Sequence, residues 1–263
     1  MFGFKLWSDF AVFREPLTIT QNLTFSIPPK TTVGGILAAI LGIDYNEYFN
    51  DDEYFNFKYS LVLNKEIRKK SFAQNYIGDY TEKSSGKITA ITDYNKWIKK
   101  LNDSDKKGKK ANDIIKKIQK NFINKFPTPK PIFRELLINP EYLIFINNFK
   151  YENEIIHYLK NHLSKYNIYV GNSEFAANYK YIECQYQEKI IDKLDSFTSQ
   201  TNNICFEPDK KYTNLYVATK TTENRTYKDY RNLVVSDKSL LLKEKIKGVV
   251  ITTDIGVFNC DFI

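Results

Sequence analysis

Residues 2–7 alternate, with Phe2, Phe4 and Leu6 on one side of an extended chain and Lys5 and Trp7 on the other, which is the period-two pattern of a half-buried strand. A loop carrying Arg14 and Pro16 follows, then Pro28, Pro29 and Lys30. From Val33 to Leu41 the residues are small or aliphatic and Gly42 closes the run, so the pattern predicts a helix with Thr31 and Thr32 as candidate N-caps. Gly34, Gly35, Ala38 and Ala39 would let this helix lie close against a sheet. Phe57, Tyr59, Leu61 and Leu63 alternate as a second strand. Two more strands, Ile132–Ile138 and Tyr142–Ile146, flank the turn Asn139-Pro140-Glu141. A helix predicted from Glu152 to Ser164 carries Ile155, Ile156, Leu159 and Leu163 as its buried stripe, and strand-like pieces follow at Asn167–Val170 and Tyr181–Gln187.

This order predicts an α+β fold, a βαββαβ arrangement of the ferredoxin-like, RNA-recognition-motif (RRM) type. The domain is expected to span residues 1–187, interrupted by an insertion at about 65–130. An excursion of that length is far longer than a connection inside a compact domain, and such segments are functional or disordered. It holds aromatic anchors at Tyr94 and Trp97 and helix-like spacing at Ile114, Ile115, Ile118 and Phe122, and Pro127, Pro129 and Pro131 end it. Residues 188–263 are expected to form a small β-rich C-terminal part, with short apolar strands at Leu215–Ala218, Asn232–Val235, Leu240–Leu242 and Val249–Thr252.

Charge sharpens the picture. The net charge is +8, and Lys99–Lys130 alone contains eleven Lys and three Asp, so that tract carries the whole excess. Such a tract suits phosphate or an acidic partner surface, and a solvated Lys-rich loop is the ordinary alternative. The 19 Tyr and 19 Phe exceed what stacking on bases would need, so most belong to core and sheet. Cys184, Cys205 and Cys260 stand far apart, with neither zinc spacing nor a disulfide framework, which fits a cytoplasmic protein. The longest apolar run, Val33–Ile43, is too short for a bilayer, and Asp9 and Arg14 interrupt any secretory-signal pattern, so no membrane partner is expected.

Little catalytic chemistry is visible. Metal-independent RNA cleavage needs a base for the 2′-hydroxyl and an acid for the leaving oxygen, and His is the natural choice near neutral pH. Only His157 and His162 are available. Five residues apart on one helix, they point about 140° apart around its axis and cannot share a site. His162 is expected to be half-buried beside the apolar stripe and His157 to be solvated. No Walker loop, nucleophile elbow or metal-ligand spacing occurs, so neither a catalytic set nor a cofactor is expected.

Four stretches in this order, LWSDFAVFREP (Leu6–Pro16), PPKTTVGGILAAILG (Pro28–Gly42), PIFRELLINPEYLIFI (Pro131–Ile146) and YVGNSEFAANY (Tyr169–Tyr179), together resemble the Cas-five family of CRISPR-associated proteins, in a style closest to subtype I-B. The resemblance implies a subunit of the type I Cascade surveillance complex. That subunit would cap the 5′ handle of the CRISPR RNA (crRNA), dock on Cas-seven backbone subunits through a thumb formed by the insertion, touch a large Cas-eight-type subunit, and meet target DNA only indirectly. It also implies binding by cations on phosphates and by rings against splayed bases. Arg14 lies in a family-like motif, and its guanidinium suits both tasks. Lys30, Thr31 and Thr32 stand at a helix start, where free N–H groups favour phosphate. Lys65, Arg68, Lys69 and Lys70 open the insertion, and Trp97 could stack a base. Gly171 to Phe175 read as a structural turn in which Glu174 accepts hydrogen bonds.

Subtype I-C relatives cut the precursor RNA with a Tyr, Lys and His set in which Lys adjoins His. Here Ile156 precedes His157 and Asn161 precedes His162, a departure that argues against processing. A metal-independent endoribonuclease that processes precursor crRNA, and a protein-interaction module whose Lys tract binds an acidic partner, remain the alternatives.

Overall fold

A computed structural model describes residues 1–16, 18, 22–76, 95–96, 98–99, 112–117, 130–222, 224 and 226–263. The chain divides into two compact units, Met1–Phe72 with Glu135–Ile263, and Ala73–Arg134. The elements are β1 (Phe2–Trp7), β2 (Phe10–Ala11), α1 (Lys30–Leu41), α2 (Tyr45–Phe49), β3 (Lys58–Leu63), β4 (Lys69–Tyr76), β5 (Lys130–Ile138), β6 (Glu141–Asn147), α3 (Glu152–Lys160), β7 (Asn178–Ile182), β8 (Cys184–Leu194), β9 (Ile204–Cys205), β10 (Tyr212–Thr221), β11 (Tyr227–Ser236), β12 (Leu240–Thr253) and β13 (Gly256–Cys260). The fold is mixed α/β, mostly strands with few helices.

The larger unit is organised around a four-stranded sheet of order β3-β6-β1-β7, in which every neighbouring pair is antiparallel. Phe4 of β1 lies opposite Ile144 of β6, which in turn faces Leu61 of β3. Phe2, Phe4 and Leu6 are fully buried, as their alternation predicts. They pack into one core with Leu37, Ile40 and Leu41 of α1 and Ile155 and Leu159 of α3. Side chains of this size contribute about 1.5–3 kcal/mol each when fully buried.

β6 departs from simple alternation, because Tyr142 to Ile146 are all buried. Tyr142, Ile144 and Ile146 enter the helix-side core. Leu143 and Phe145 enter a second cluster with Val62, Ile182, Ile251 and Cys260, so β12 and β13 cover the other face of the sheet. A strand buried on both faces reads as a continuous apolar run. The C-terminal elements form a sheet of order β13-β12-β8 and a hairpin, β10-β11. The hairpin places Leu215, Val217, Leu233 and Val235 in the main core beside α1.

Gly42 ends α1 in a left-handed conformation (φ 73°), and its N–H donates to the Ala38 carbonyl. Other local expectations differ from the structure. Thr31 and Thr32 are not caps: the helix begins at Lys30 rather than Val33, Pro29 occupies the cap position without any side-chain hydrogen bond, and both threonines lie in the first turn. α3 stops at Lys160 rather than Ser164, leaving Leu163 48 % exposed instead of in the stripe. No strand forms over residues 167–170, where Tyr169 makes only an isolated bridge to Ala176.

In the smaller unit, the described residues comprise parts of β4 and β5 and helical positions at 95–96, 98–99 and 112–117, and Arg134 Nη1 donates to Gln74 Oε1 at 3.4 Å. Tyr94, Trp97, Ile118, Phe122 and most of the Lys99–Lys130 tract lie outside the described residues.

Candidate nucleic-acid interface

Residues 12–14 and 24–25 form a short irregular ladder at the mouth of α1. Arg14 bridges to Thr24, and the Phe13 N–H donates to Thr24 Oγ1 at 2.8 Å. This holds Arg14 exposed, and it has no ion-pair partner among the described residues. Thr31 and Thr32 share a cavity of about 190 Å³ with Arg14, and Tyr216, Tyr227 and Tyr230 of the hairpin line its other side. A second cavity of about 350 Å³ adjoins it through Thr31, Thr32, Gly171 and Tyr227 and continues along α1 past Gly35 to Tyr45, Tyr48 and Tyr169.

The tyrosines are arranged for flat ligands. Tyr216 and Tyr230 are stacked, with ring centroids 4.8 Å apart and planes 17° from parallel. Tyr216 is 50 % exposed and Tyr227 43 % exposed. Their positions follow from the hairpin: Leu215 and Val217 turn into the core, so Tyr216 between them turns outward. At the first turn of α1 the N–H groups of Lys30 and Thr31 have no intrahelical acceptor, and that turn holds no acidic residue. The groove can therefore stack rings and receive anions along one wall.

Gly171 fixes the opposite rim. It has φ 94°, and the chain there touches the backbone of residue 12, whose N–H donates to the Val170 carbonyl at 3.2 Å. Residues 170–175 form the expected turn, with Val170 N–H to Phe175 O at 3.0 Å and Phe175 N–H to Asn172 O at 2.9 Å. Asn172 Nδ2 donates to Glu174 Oε1 at 3.5 Å.

The other sequence candidates are placed differently. The Lys30 side chain leaves the groove and is only 6 % exposed. It enters a separate pocket whose walls include Lys220 and Arg231, and lies 5.0 Å from the centroid of the Phe57 ring. Lys69 is held by Glu135 at 3.2 Å and donates to the Thr24 carbonyl at 2.6 Å, which places it beside the bridge partner of Arg14. Arg68 and Lys70 are exposed; the Arg68 carbonyl accepts from the Ile138 N–H at 2.9 Å, and Lys70 Nζ sits 5.3 Å over the Phe72 ring. None of Lys65, Arg68, Lys69 and Lys70 lines the groove.

Lys65 is bound to Glu141 at 2.9 Å, and Lys5 reaches the same carboxylate at 2.6 Å with Asn64 as a third donor. Burial alone would push the Glu141 carboxyl up; the hydrogen bonds from Lys5, Lys65 and Asn64 outweigh it and hold the group at about 2. The stability this contributes is present above the ordinary value of 4.5 and is lost as the pH falls toward 2. Glu141→Gln is expected to cost about 2 kcal/mol at pH 7. The gap from wild type should narrow below pH 4.5, as read by urea unfolding across that range.

Both histidines are exposed and lie away from the groove. His157 Nδ1 is 3.3 Å from Asn161 Nδ2. His162 is not half-buried on the helix as expected: it falls beyond the end of α3 with φ 54°, stacked on Tyr179 at 4.7 Å. Among the described residues no group of His, Cys, Asp and Glu is arranged to hold a metal, and no helix is long and apolar enough to cross a membrane. Cys184, Cys205 and Cys260 are free thiols.

The fold and the groove define a strand-rich α/β protein, its central sheet covered on both faces, with an open ring-and-cation surface at the start of its first helix. The chain belongs to the Cas-five family, since the family model described as CRISPR-associated protein (Cas_Cas5) matches residues 2–188. Its fold is similar to that of a chain in a structure described as a CRISPR RNA-guided surveillance complex, with TM-score 0.51 and 11 % identity over 92 % of this chain and 90 % of that one. A CRISPR protein from Archaeoglobus fulgidus aligns over 98 % of this chain and 99 % of its own, with 13 % identity and TM-score 0.44. No curated protein matches this chain.

Proposed function

We propose that this protein is a non-catalytic, RNA-binding subunit of a type I CRISPR surveillance complex of the I-B branch, working in the cytoplasm and capping the 5′ handle of the crRNA. Family membership supports the assignment to a CRISPR complex. The reading rests above all on the groove, which joins Arg14 and the first turn of α1 to an exposed, stacked tyrosine pair. Cations fix phosphates and aromatic faces take bases that have left a stack, as a bent single strand requires.

In this reading the sheet of order β3-β6-β1-β7, with α1 after β1 and α3 after β6, is the ferredoxin-like, RRM-type platform. Residues 1–187 form the platform domain, residues 65–130 the insertion that reaches the Cas-seven backbone, and residues 188–263 an accessory β-rich part. A Cas-eight-type large subunit and, through it, target DNA complete the partners. Lys69, beside the bridge partner of Arg14, and its chain neighbours Lys65, Arg68 and Lys70 are the further RNA-contacting cations of this reading.

The test is the affinity of the full chain for single-stranded RNA carrying the repeat-derived 5′ segment. Arg14→Ala and Tyr216→Ala are each expected to weaken binding roughly tenfold, in line with a charged contact or one stacked base. Affinity should also fall as salt rises. Unchanged affinity in both variants removes the groove from the reading. A discrete cleavage product from repeat RNA in chelator would replace it with a processing endoribonuclease.

A further inference from the structure

The groove does not end at the stacked tyrosines. The cavity of about 350 Å³ shares Thr31, Thr32, Gly171 and Tyr227 with it, so the two spaces are continuous. That volume falls within the range of small-ligand sites, roughly 300–1,000 Å³. Among the described residues its lining holds no charged side chain. Tyr45, Tyr48, Tyr169 and Tyr227 supply rings. The stretch of α1 in its wall is bare, since a Cβ added at Gly35 would meet only Tyr48 Oη at 3.8 Å.

Its polar groups have nothing to bond to. Thr31, Thr32, Asn167 and Thr221 line the cavity, and among the described residues none of their side chains makes a hydrogen bond. Thr221 carries most weight, because it is only 9 % exposed. Thr219, two residues back along β10, shows the ordinary outcome: its hydroxyl donates to the Asp229 carbonyl at 2.9 Å. A hydroxyl as deep as that of Thr221 is normally paired, and its lack of a partner points to a ligand that supplies one.

We propose that this cavity takes one nucleobase of the bound RNA, turned out of the strand, and that Asn167 makes it select adenine. The inference rests on the RNA-binding reading and adds to it a contact that reads a base. A neutral, ring-bearing lining suits a base rather than a phosphate. The Asn carboxamide sets a donor beside an acceptor, the complement of adenine N6 and N7. Guanine presents two acceptors there, O6 and N7, and its usual partners Arg and Lys do not occur in the described lining. A pyrimidine fills less of the space between the rings.

The experiment titrates the full chain with a short oligouridylate and with the same strand carrying one central adenine, guanine or cytosine. The adenine strand is expected to bind roughly tenfold tighter than the other three. Asn167→Ala and Gly35→Met, the second of which puts a side chain into the cavity, are each expected to erase that preference, and Thr221→Val to reduce it. Arg14→Ala should weaken every strand and keep the preference. Equal binding of the four strands by wild type, or a preference that survives both Asn167→Ala and Gly35→Met, overturns the cavity assignment; a continuing effect of Arg14→Ala then shows that the groove stands. If no strand binds, the RNA-binding reading fails and this inference falls with it. Adenosine monophosphate is titrated in parallel. If it binds, loses affinity in Asn167→Ala, and the strands show no preference, the RNA source is overturned and the cavity is a site for a free nucleotide.

Discussion

Gly171→Ala is expected to destabilise the larger unit by about 3 kcal/mol or more, from backbone strain and overpacking together. The residue has φ 94°, a region that side chains with a Cβ rarely adopt. An added Cβ would lie 1.5 Å from the Val12 carbonyl oxygen and 2.6 Å from its carbonyl carbon. Those atoms are backbone, and the Val12 N–H is itself bonded to Val170, so neither chain can swing aside alone. Relief requires parting residues 12–14 from residues 170–172, which opens the rim that carries Arg14. Urea unfolding should show the lower midpoint, and RNA affinity should fall with it. Gly35→Ala is the control, since its added carbon would meet only Tyr48 Oη at 3.8 Å. In a helix interior that exchange is expected to be neutral or stabilising by about 1 kcal/mol. Equal stability of Gly171→Ala and wild type would rule out the close approach.

Lys30→Met is expected to have the opposite sign, stabilising the free protein by about 2 kcal/mol at pH 7. The wild-type ammonium is buried, and Lys220 and Arg231 repel it. Its folded value of about 8 lies below the ordinary 10.5, so below pH 8 the folded state carries a charge that it holds less well than the unfolded chain does. Wild-type stability should therefore rise as the pH climbs from 8 toward 10.5, and the advantage of Met should shrink over the same interval. Denaturation of both proteins at pH 7 and pH 10 measures this. A variant less stable than wild type at pH 7 would show that the ammonium is well satisfied without a ligand.

These two residues also mark the limits of reading the sequence. Local features were legible: the alternation of Phe2, Phe4 and Leu6, the stop at Gly42 and the turn at Asn139-Pro140 depend on neighbours in the chain. The GNSEF turn was legible as a turn, but the contact that makes Gly171 necessary comes from residue 12. Lys30 sits among prolines and threonines and reads as a solvated helix start, while the cations that repel it stand at positions 220 and 231 and the main-chain oxygen that accepts from it at position 263. Thr31 and Thr32 carry the composition of caps, but Pro29 takes the cap position and turns them toward the groove. Tyr216 and Tyr230 were missed for the same non-local reason. The outward position of Tyr216 between Leu215 and Val217 was the available signal, but only the register of β10 against β11 brings the two rings together.

The double burial of β6 limits where ligands can sit. With helices on one side of the central sheet and β12 and β13 on the other, no broad face of it is left bare for a nucleobase. In the proposed reading, a bound single strand would run along the sheet's periphery, across loops and hairpin. The middle layer would then be a keel, covered on both sides and out of the ligand's reach.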